Sequence, residues 1–172
     1  NKVKAAPNPG DLSEADLAQY RAKQREAVCA PYRQWKVCGM PPPSSGGVAV
    51  LQVLGMLQQL APGILPSDPI RAAHLIAEAE RLAYADRERY LADSDFVVVP
   101  LAGLISPEYL ATRAALVQPD RSLGRALPGS PPGAPLAELA DDASPELPST
   151  SHMSIVDAAG QTYPLDSLRK YA

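Results

Sequence analysis

Apolar residues recur at helical spacing in four stretches of the chain. A capping box at Ser13 opens the first stretch, which predicts a helix over residues 13–24. The second stretch, over residues 48–60, is apolar around most of the helix circumference, which indicates burial on several sides. Asp68 followed by proline marks the start of a third helix that reaches Tyr90. A further helix is predicted over residues 106–118.

Strand-like runs are shorter and fewer than the helical ones. Two of them, at 28–29 and 35–38, are separated by a proline-containing turn and predict a hairpin. Phe96–Val99 is an apolar run stopped by a proline, which is typical of a short strand, and another strand is expected at Met153–Asp157.

The predicted hairpin brings Cys29 and Cys38 onto neighbouring strands. A disulfide and a pair of reduced, buried thiols are both compatible with this placement. Two cysteines are too few for a disulfide scaffold, and their spacing is not that of a zinc site.

Proline and glycine interrupt the pattern twice. No helix or strand can run through Pro41–Gly47, where Ser44 or Ser45 is expected to cap the following helix. Periodicity disappears again from Pro119 to Pro148, and the composition of 128–135 is that of a flexible connector.

This second interruption divides the chain into three predicted parts. Residues 1–127 form a helix-rich, mixed portion, and residues 128–149 form the connector. Residues 150–172 begin a further portion with a strand. The expected class is therefore α/β (α+β).

Composition and charge exclude several functions. The 172 residues are 46% hydrophobic, and 16 basic against 19 acidic residues give a net charge of −3. No basic excess is available for phosphates, so nucleic-acid binding is not expected. No apolar run approaches the roughly 20 residues that a membrane-spanning helix needs.

The two histidines, His74 and His152, exclude a histidine-rich metal site. His74 and Glu78 have the i, i+4 spacing of a metal-binding pair, but no third ligand is evident. A hydrogen bond on the helix face is the simpler prediction.

Thr150 stands where a proline-rich connector meets a strand, an arrangement suited to a self-cleaving hydrolase. Threonine is a poor nucleophile without a base, and a chain-terminal threonine supplies its own α-amine, with a pKa of about 7.7–8.0. Before cleavage this amine belongs to the Ser149–Thr150 peptide bond, so the Thr150 hydroxyl would first attack the Ser149 carbonyl. On its own, a serine- and threonine-rich segment beside proline is more commonly an ordinary loop.

Separated blocks of sequence resemble the gamma-glutamyltranspeptidase family in order and spacing. They correspond to the C-terminal half of the family's large subunit and the start of its small subunit. The blocks are residues 8–12, 15–21, 25–33, 41–47, 74–93 and 150–157. Residues 161–172 are not matched to the family, and Pro164 is expected to interrupt any strand pairing there.

The resemblance implies an incomplete Ntn-hydrolase αββα sandwich and a proenzyme that cleaves itself between Ser149 and Thr150. Thr150 would then take the γ-glutamyl group of glutathione and pass it to water or to an acceptor amino acid or peptide. No metal or organic cofactor is implied, and His152 is expected to pack beside the cleavage point without acting in the reaction.

The resemblance also implies the partners of this chain and the compartment in which it acts. The family's substrate-binding residues are expected to lie outside this chain, so the remaining segments of both subunits are expected partners. Bacterial members are usually periplasmic or secreted, which slightly favours a Cys29–Cys38 disulfide, and no signal peptide is expected within residues 1–172. A related cephalosporin acylase and a non-catalytic, truncated or degenerate fragment are the alternatives.

Overall fold

The computed structural model describes residues 12–60, 68–135, 150–156 and 162–168. The chain divides into two compact units, residues 1–138 and 139–172. The first unit contains α1 (Glu14–Gln19), β1 (Val28–Tyr32), β2 (Trp35–Gly39), α2 (Gly46–Leu60), α3 (Pro69–Tyr90), α4 (Leu101–Leu104) and α5 (Pro107–Ala114). The second contains β3 (Thr150–Val156) and β4 (Thr162–Leu168). The predicted mixture of helices and small sheets is confirmed.

Helix α1 begins as predicted and ends early. The Ser13 side chain accepts a hydrogen bond from the Asp16 amide, and the Ser13 amide donates in return to the Asp16 carboxylate. The helix ends at Gln19, about five residues earlier than predicted. In the chain that follows, Arg25 binds the carboxylate of Asp95 at 2.7 Å.

Strands β1 and β2 form the predicted antiparallel hairpin. Tyr32 pairs with Trp35 across a two-residue loop that contains Arg33 at a φ of 54°. From this closing pair the register alternates, so Cys29 and Cys38 face each other at a non-hydrogen-bonded position, where strands approach most closely. Their Cα atoms are 4.1 Å apart, and a disulfide joins them.

Helix α2 lies at the centre of the first unit. It packs against α3 and α5 on one side and against both strands of the hairpin on another, which confirms the predicted burial on several sides. The core consists mainly of leucine, alanine and valine side chains: Val48, Leu51, Met56, Leu57, Leu75, Ala79, Leu82, Ala83, Leu104, Leu110 and Ala114. Within the described ranges, no helix combines the length and the apolar character that crossing a membrane requires.

Helix α3 confirms its predicted start. The Asp68 carboxylate accepts the Arg71 amide at 3.0 Å, and Pro69 occupies the first turn. The helix then continues without interruption to Tyr90.

The strand predicted at Phe96–Val99 is wrong. The amides of Phe96 and Val97 both donate to the Asp93 carbonyl, at 3.0 and 3.1 Å, so the chain turns here. Phe96 is 86% exposed and Val98 is 75% exposed. The side chains of Phe96, Val97 and Val98 are therefore at the surface of the first unit, whereas Val99 is partly buried against the core.

The helix predicted over residues 106–118 is shorter in the structure. The Ser106 hydroxyl accepts the Tyr109 amide at 3.3 Å, which confirms the predicted start of α5. The helix ends at Ala114, and the Val117 amide closes a tight turn onto the Ala114 carbonyl.

The second unit is an antiparallel pair of strands. Its register joins Thr150 to Leu168 and Ser154 to Pro164, so the predicted interruption of pairing at Pro164 is wrong. Each strand of a two-stranded sheet has one unpaired edge, so a proline nitrogen facing that edge removes no ladder hydrogen bond. Pro31 in β1 is accommodated in the same kind of sheet. The predicted turn at 158–160 lies outside the described residues.

Candidate active site

Thr150 is the first residue of β3 and pairs with Leu168 at the end of β4. A nucleophile on a paired strand is held by its backbone, which suits the geometric demands of covalent catalysis. His152 pairs in register with Asp166. Ser149 lies outside the described residues, and the catalytic role of Thr150 stays a prediction at this point.

The chain that leads toward this strand is fastened to α3 in the first unit. Glu78 is only 2% exposed, and its carboxylate accepts the Leu123 amide at 2.6 Å and the Ser122 hydroxyl at 2.8 Å. The His74 ring nitrogen Nε2 donates to the Gln118 carbonyl at 2.7 Å. Both side chains of the metal-like pair are therefore used to hold the segment that follows α5.

A metal site is not formed by these residues. Among the described residues, no three potential ligands of the His, Cys, Asp or Glu type lie close enough to hold an ion. The carboxylate of Glu78 instead has a charged neighbour in Arg81, at 3.2 Å, whose guanidinium also donates to the Gly124 carbonyl at 3.1 Å.

Asp86 is one of the most extensively bonded side chains among the described residues of the first unit. It is 1% exposed, and its carboxylate accepts three hydrogen bonds and forms one ion pair. The hydrogen bonds come from Gln52 Nε2 at 3.1 Å, the Tyr109 hydroxyl at 2.8 Å and the Gly129 amide at 2.8 Å, and the ion pair is with Arg113 Nη2 at 3.1 Å. Burial and the bond to Asp86 raise the pKa of Tyr109 far above its ordinary value, so its hydroxyl stays a donor.

Side chains of α3 and α5 also bind the backbone near Gly129. Arg113 donates to the Leu82 carbonyl at 3.1 Å and to the Leu127 carbonyl at 2.8 Å. The Tyr90 hydroxyl donates to the Gly129 carbonyl at 2.6 Å. The start of the segment whose composition is that of a flexible connector is therefore held at Gly129 by Asp86 and Tyr90 of α3.

The proline-rich segment between β2 and α2 forms a second feature of the surface. Pro41 and Pro42 are buried, and the Ser45 hydroxyl accepts a hydrogen bond from Arg87 Nε at 2.9 Å. The predicted capping of α2 by the side chain of Ser44 or Ser45 stays a prediction. The Ser45 carbonyl accepts the Ala49 amide at 3.0 Å within the first turn of α2.

This segment borders a surface cleft of about 650 Å³. Lys23 and Arg25 line the cleft, and both bind Asp95 there, at 2.8 and 2.7 Å. Their hydrogen bonds, from Lys23 first and then Arg25, hold the pKa of Asp95 below its ordinary range. The charges of the cleft are therefore largely compensated within it.

Sequence reasoning missed the Asp86 network, although a signal was present. Asp86 lies four residues after Leu82 and seven after Ala79, on the apolar face of α3. A charged residue at such a position requires buried partners. Those partners come from residues far away in sequence, which the local pattern does not identify.

Glu78 makes the stability of the first unit depend on acid. Burial raises the pKa of Glu78, but the bonds from Leu123 and Ser122 and the charges of Arg81 and His74 outweigh this effect, so the pKa of Glu78 lies below its ordinary value of 4.5. The stability from the charged carboxylate is therefore complete above that unfolded-state value and is lost as the pH falls through the folded-state pKa.

The measurement is the free energy of unfolding of the wild type and of Glu78→Gln, by urea titration at about pH 6 and about pH 3. We expect the wild type to be more stable than Glu78→Gln at about pH 6. The difference between their free energies of unfolding is expected to be smaller at about pH 3. A difference that is constant across this range would contradict the assignment.

Comparisons with known proteins find similar sequences along most of the chain. Residues 2–163 match the sequence model of the family described as Gamma-glutamyltranspeptidase. The chain is 38% identical over 157 residues to the acylase ACY 1 proenzyme of Pseudomonas sp. (strain SE83), covering 90% of this chain and 25% of that protein. It is 36% identical over 166 residues to the glutathione hydrolase proenzyme of Escherichia coli (strain K12), covering 93% and 27%.

A solved structure shows the same similarity in three dimensions. The crystal structure of Helicobacter pylori gamma-glutamyltranspeptidase aligns with a TM-score of 0.64 at 38% identity, covering 70% of this chain and 35% of that chain. The chain spans about a quarter of the length of the curated relatives that it matches. The family match ends at residue 163, three residues beyond the predicted limit.

Proposed function

This chain belongs to the gamma-glutamyltranspeptidase family, and we propose that it carries the self-cleavage site and the nucleophile, Thr150, of a glutathione hydrolase or gamma-glutamyltransferase. The observation that carries the proposal is the position of Thr150 at the start of β3, after a proline-rich connector. The naming of its relatives as proenzymes also supports it.

Self-cleavage would begin at the Ser149–Thr150 bond. The Thr150 hydroxyl oxygen attacks the Ser149 carbonyl carbon, the C–N bond breaks, and the hydroxyl proton passes to the departing nitrogen. An ester then links Ser149 to the Thr150 oxygen, and the α-amine of Thr150 is free. Water hydrolyses the ester, which leaves a carboxylate on Ser149 and restores the Thr150 hydroxyl.

The same hydroxyl then serves turnover, with the new α-amine as its base. The amine takes the hydroxyl proton as the oxygen attacks the γ-carbonyl of a γ-glutamyl amide, and it returns the proton to the leaving amine. The γ-glutamyl ester on Thr150 is released by water or by an acceptor amine. This chemistry uses no metal or organic cofactor.

The proposed partners are small molecules and further protein. Glutathione is the proposed donor, and water, an amino acid or a peptide is the acceptor. Segments of the large and small subunits beyond this chain would supply the groups that bind the substrate. The Cys29–Cys38 disulfide supports a periplasmic or secreted location, because disulfides persist in oxidising compartments.

Acylase activity is the second candidate, and one observation favours it. The acylase ACY 1 proenzyme is slightly more similar to this chain than the Escherichia coli glutathione hydrolase is, at 38% against 36% identity. The two activities share the nucleophile and differ in the acyl group. Parallel assays with a γ-glutamyl anilide and with a cephalosporin side-chain amide separate them.

The test of the proposal is the intact mass of the purified chain during prolonged incubation at neutral pH. Cleavage before Thr150 would convert the 172-residue chain into pieces of 149 and 23 residues. A mass that stays single, or pieces that begin at another residue, would contradict the proposal for this chain and favour a non-catalytic fragment.

A further inference from the structure

The outer edge of β2 is a surface feature that the proposed function does not use. Among the described residues, β2 pairs only with β1, so each strand of this sheet has one edge outside the ladder. Because Cys29 and Cys38 occupy a non-hydrogen-bonded position, the backbone N–H and C=O groups of Lys36 and Cys38 point away from β1. An edge of this kind is a template for pairing with another strand.

A small apolar groove lies along this edge. Its volume is about 250 Å³, and its lining comes from β2 and the first turns of α2, including Val37, Gly39, Gly47 and Val50. No described residue of β1 contributes to the lining, so the groove is on the side of β2 that faces away from β1. A Cβ on Gly39 would overlap Gly47, which shows that strand and helix are in backbone contact here. Val50 is 51% exposed, so the groove is open to a neighbouring molecule.

The same strand carries a side chain that fits such a groove. Trp35 begins β2, is 65% exposed, and shares one face of the strand with Val37 and Gly39. This face is directed toward α2, because Val37 packs against the core and Gly39 lies against Gly47. Trp35 and Gly39 are equally distant from Val37 in the sequence. A two-fold axis at Val37 would therefore place the Trp35 of one copy opposite the Gly39 of another.

We propose that β2 pairs antiparallel with β2 of a second copy of this chain, about a two-fold axis at Val37, and that each Trp35 enters the groove of the other copy. Lys36 then lies opposite the partner's Cys38, and these two residues exchange hydrogen bonds through the backbone groups that point away from β1.

Charge and side-chain size favour this register over its neighbours. A register centred on Lys36 would place two like charges directly opposite each other, which is destabilising. A register centred on Cys38 would place Trp35 opposite Pro41 and away from the glycine-lined groove. In the register centred on Val37, the largest exposed side chain of β2 meets the smallest residue of the partner strand.

The two hairpins would form one four-stranded antiparallel sheet with both α2 helices on the same face. Neighbouring strands are about 4.8 Å apart, so helices centred on the two hairpins would be about 10 Å apart, an ordinary packing distance. The contact is built around two indoles, which bury about 150–250 Å² each. Interfaces below about 1,200 Å² in total are weak, so we expect a reversible dimer with a dissociation constant on the order of 100 μM.

Sedimentation equilibrium of the 172-residue chain tests the proposal. A Thr150→Ala background keeps the chain at one mass, and β2 and α2 both precede the proposed cleavage bond. We expect about four-fifths of the chains to be dimeric at about 1 mM and about one-sixth at about 10 μM. A chain that stays monomeric up to about 1 mM would overturn the proposal and favour a segment outside residues 1–172 as the occupant of this edge.

Spectroscopy locates the contact within the dimer. Trp35 is the single tryptophan of the sequence, so its emission is expected to move to shorter wavelength with concentration as the indole leaves water. The amides of Lys36 and Cys38 are expected to exchange hydrogen about fourfold more slowly at about 1 mM than at about 10 μM. A dimer in which neither signal changes would overturn the assigned surface.

Two substitutions of the same type complete the test. Val50→Lys places a charge in the groove and leaves Trp35 in position, and we expect it to weaken the dimer at least tenfold and to abolish the emission shift. Val98→Lys is the matched control, because Val98 is 75% exposed and lies outside both the hairpin and α2. Circular dichroism verifies that both variants are folded. A dimer that persists in Val50→Lys, or that is lost in Val98→Lys, would overturn the proposal.

Discussion

A Thr150→Ala chain is expected to remain at a single mass under conditions in which the wild type separates into two pieces. Alanine has no hydroxyl to attack the Ser149 carbonyl, so the ester cannot form and the α-amine is never released. Removing a catalytic nucleophile lowers rates by several powers of ten, so we expect cleavage to slow at least about a thousandfold. Mass spectrometry over the same time course measures this directly.

Two variants control this result. Ser151→Ala removes the neighbouring hydroxyl of β3 and is expected to cleave at the wild-type position. Thr150→Ser keeps a hydroxyl at the critical residue and is expected to cleave more slowly but at the same bond. Cleavage of Thr150→Ala at an undiminished rate would show that another nucleophile or a contaminating protease cuts the chain.

Substitution of Asp86 by alanine is expected to be the most destabilising single change in the first unit. It removes the acceptor of three hydrogen bonds and leaves the Arg113 guanidinium, itself 4% exposed, without its carboxylate. Breaking a buried ion pair from one side costs about 3–5 kcal/mol, so much of the free energy of unfolding would be lost. Urea titration followed by circular dichroism measures the loss.

The matched control lies on the same helix. Glu80 is exposed, and Glu80→Ala is expected to change the free energy of unfolding by less than about 0.5 kcal/mol. Replacing Asp86 and Arg113 together by leucine is expected to be less harmful than Asp86→Ala alone, because no buried charge is then left unpaired. If Asp86→Ala unfolds at the wild-type urea concentration, the carboxylate does not stabilise the unit as described.

The sequence predicted those elements that are stabilised by residues close to one another in the chain. The capping box at Ser13, the Asp68 cap and the Ser106 cap each depend on residues within one helical turn, and all three occur in the structure. The hairpin followed from two short runs and a tight turn. The disulfide stayed open at the sequence level because it depends on register, which places Cys29 opposite Cys38.

The failures share a different cause. Phe96–Val99 has the composition of a strand, but Asp93 turns the backbone there. Proline and glycine content gave residues 128–135 the composition of a flexible connector and left their order open, whereas in the structure Asp86 binds Gly129 from 43 residues away. Amino-acid composition indicates how much conformational entropy a segment loses when it becomes ordered. It gives no information about distant residues whose contacts offset that loss.

Some residues of the candidate site could be identified from the sequence, and other contacts are visible only in the structure. Thr150 was found by resemblance to a family, and its position at the start of β3 agrees with that role without testing it. Tyr90 and Gly129 belong to no recognisable motif, and the hydrogen bond that joins them is visible only in the structure.

The location of the disulfide determines what can hold the two products of cleavage together. Cys29 and Cys38 are the two cysteines of the chain, they are joined to each other, and both precede residue 149. The bridge is therefore internal to the larger product. Within this chain no covalent link would survive between the products, so reducing agents would not separate them, and only non-covalent contacts could keep the nucleophile-bearing piece with the rest.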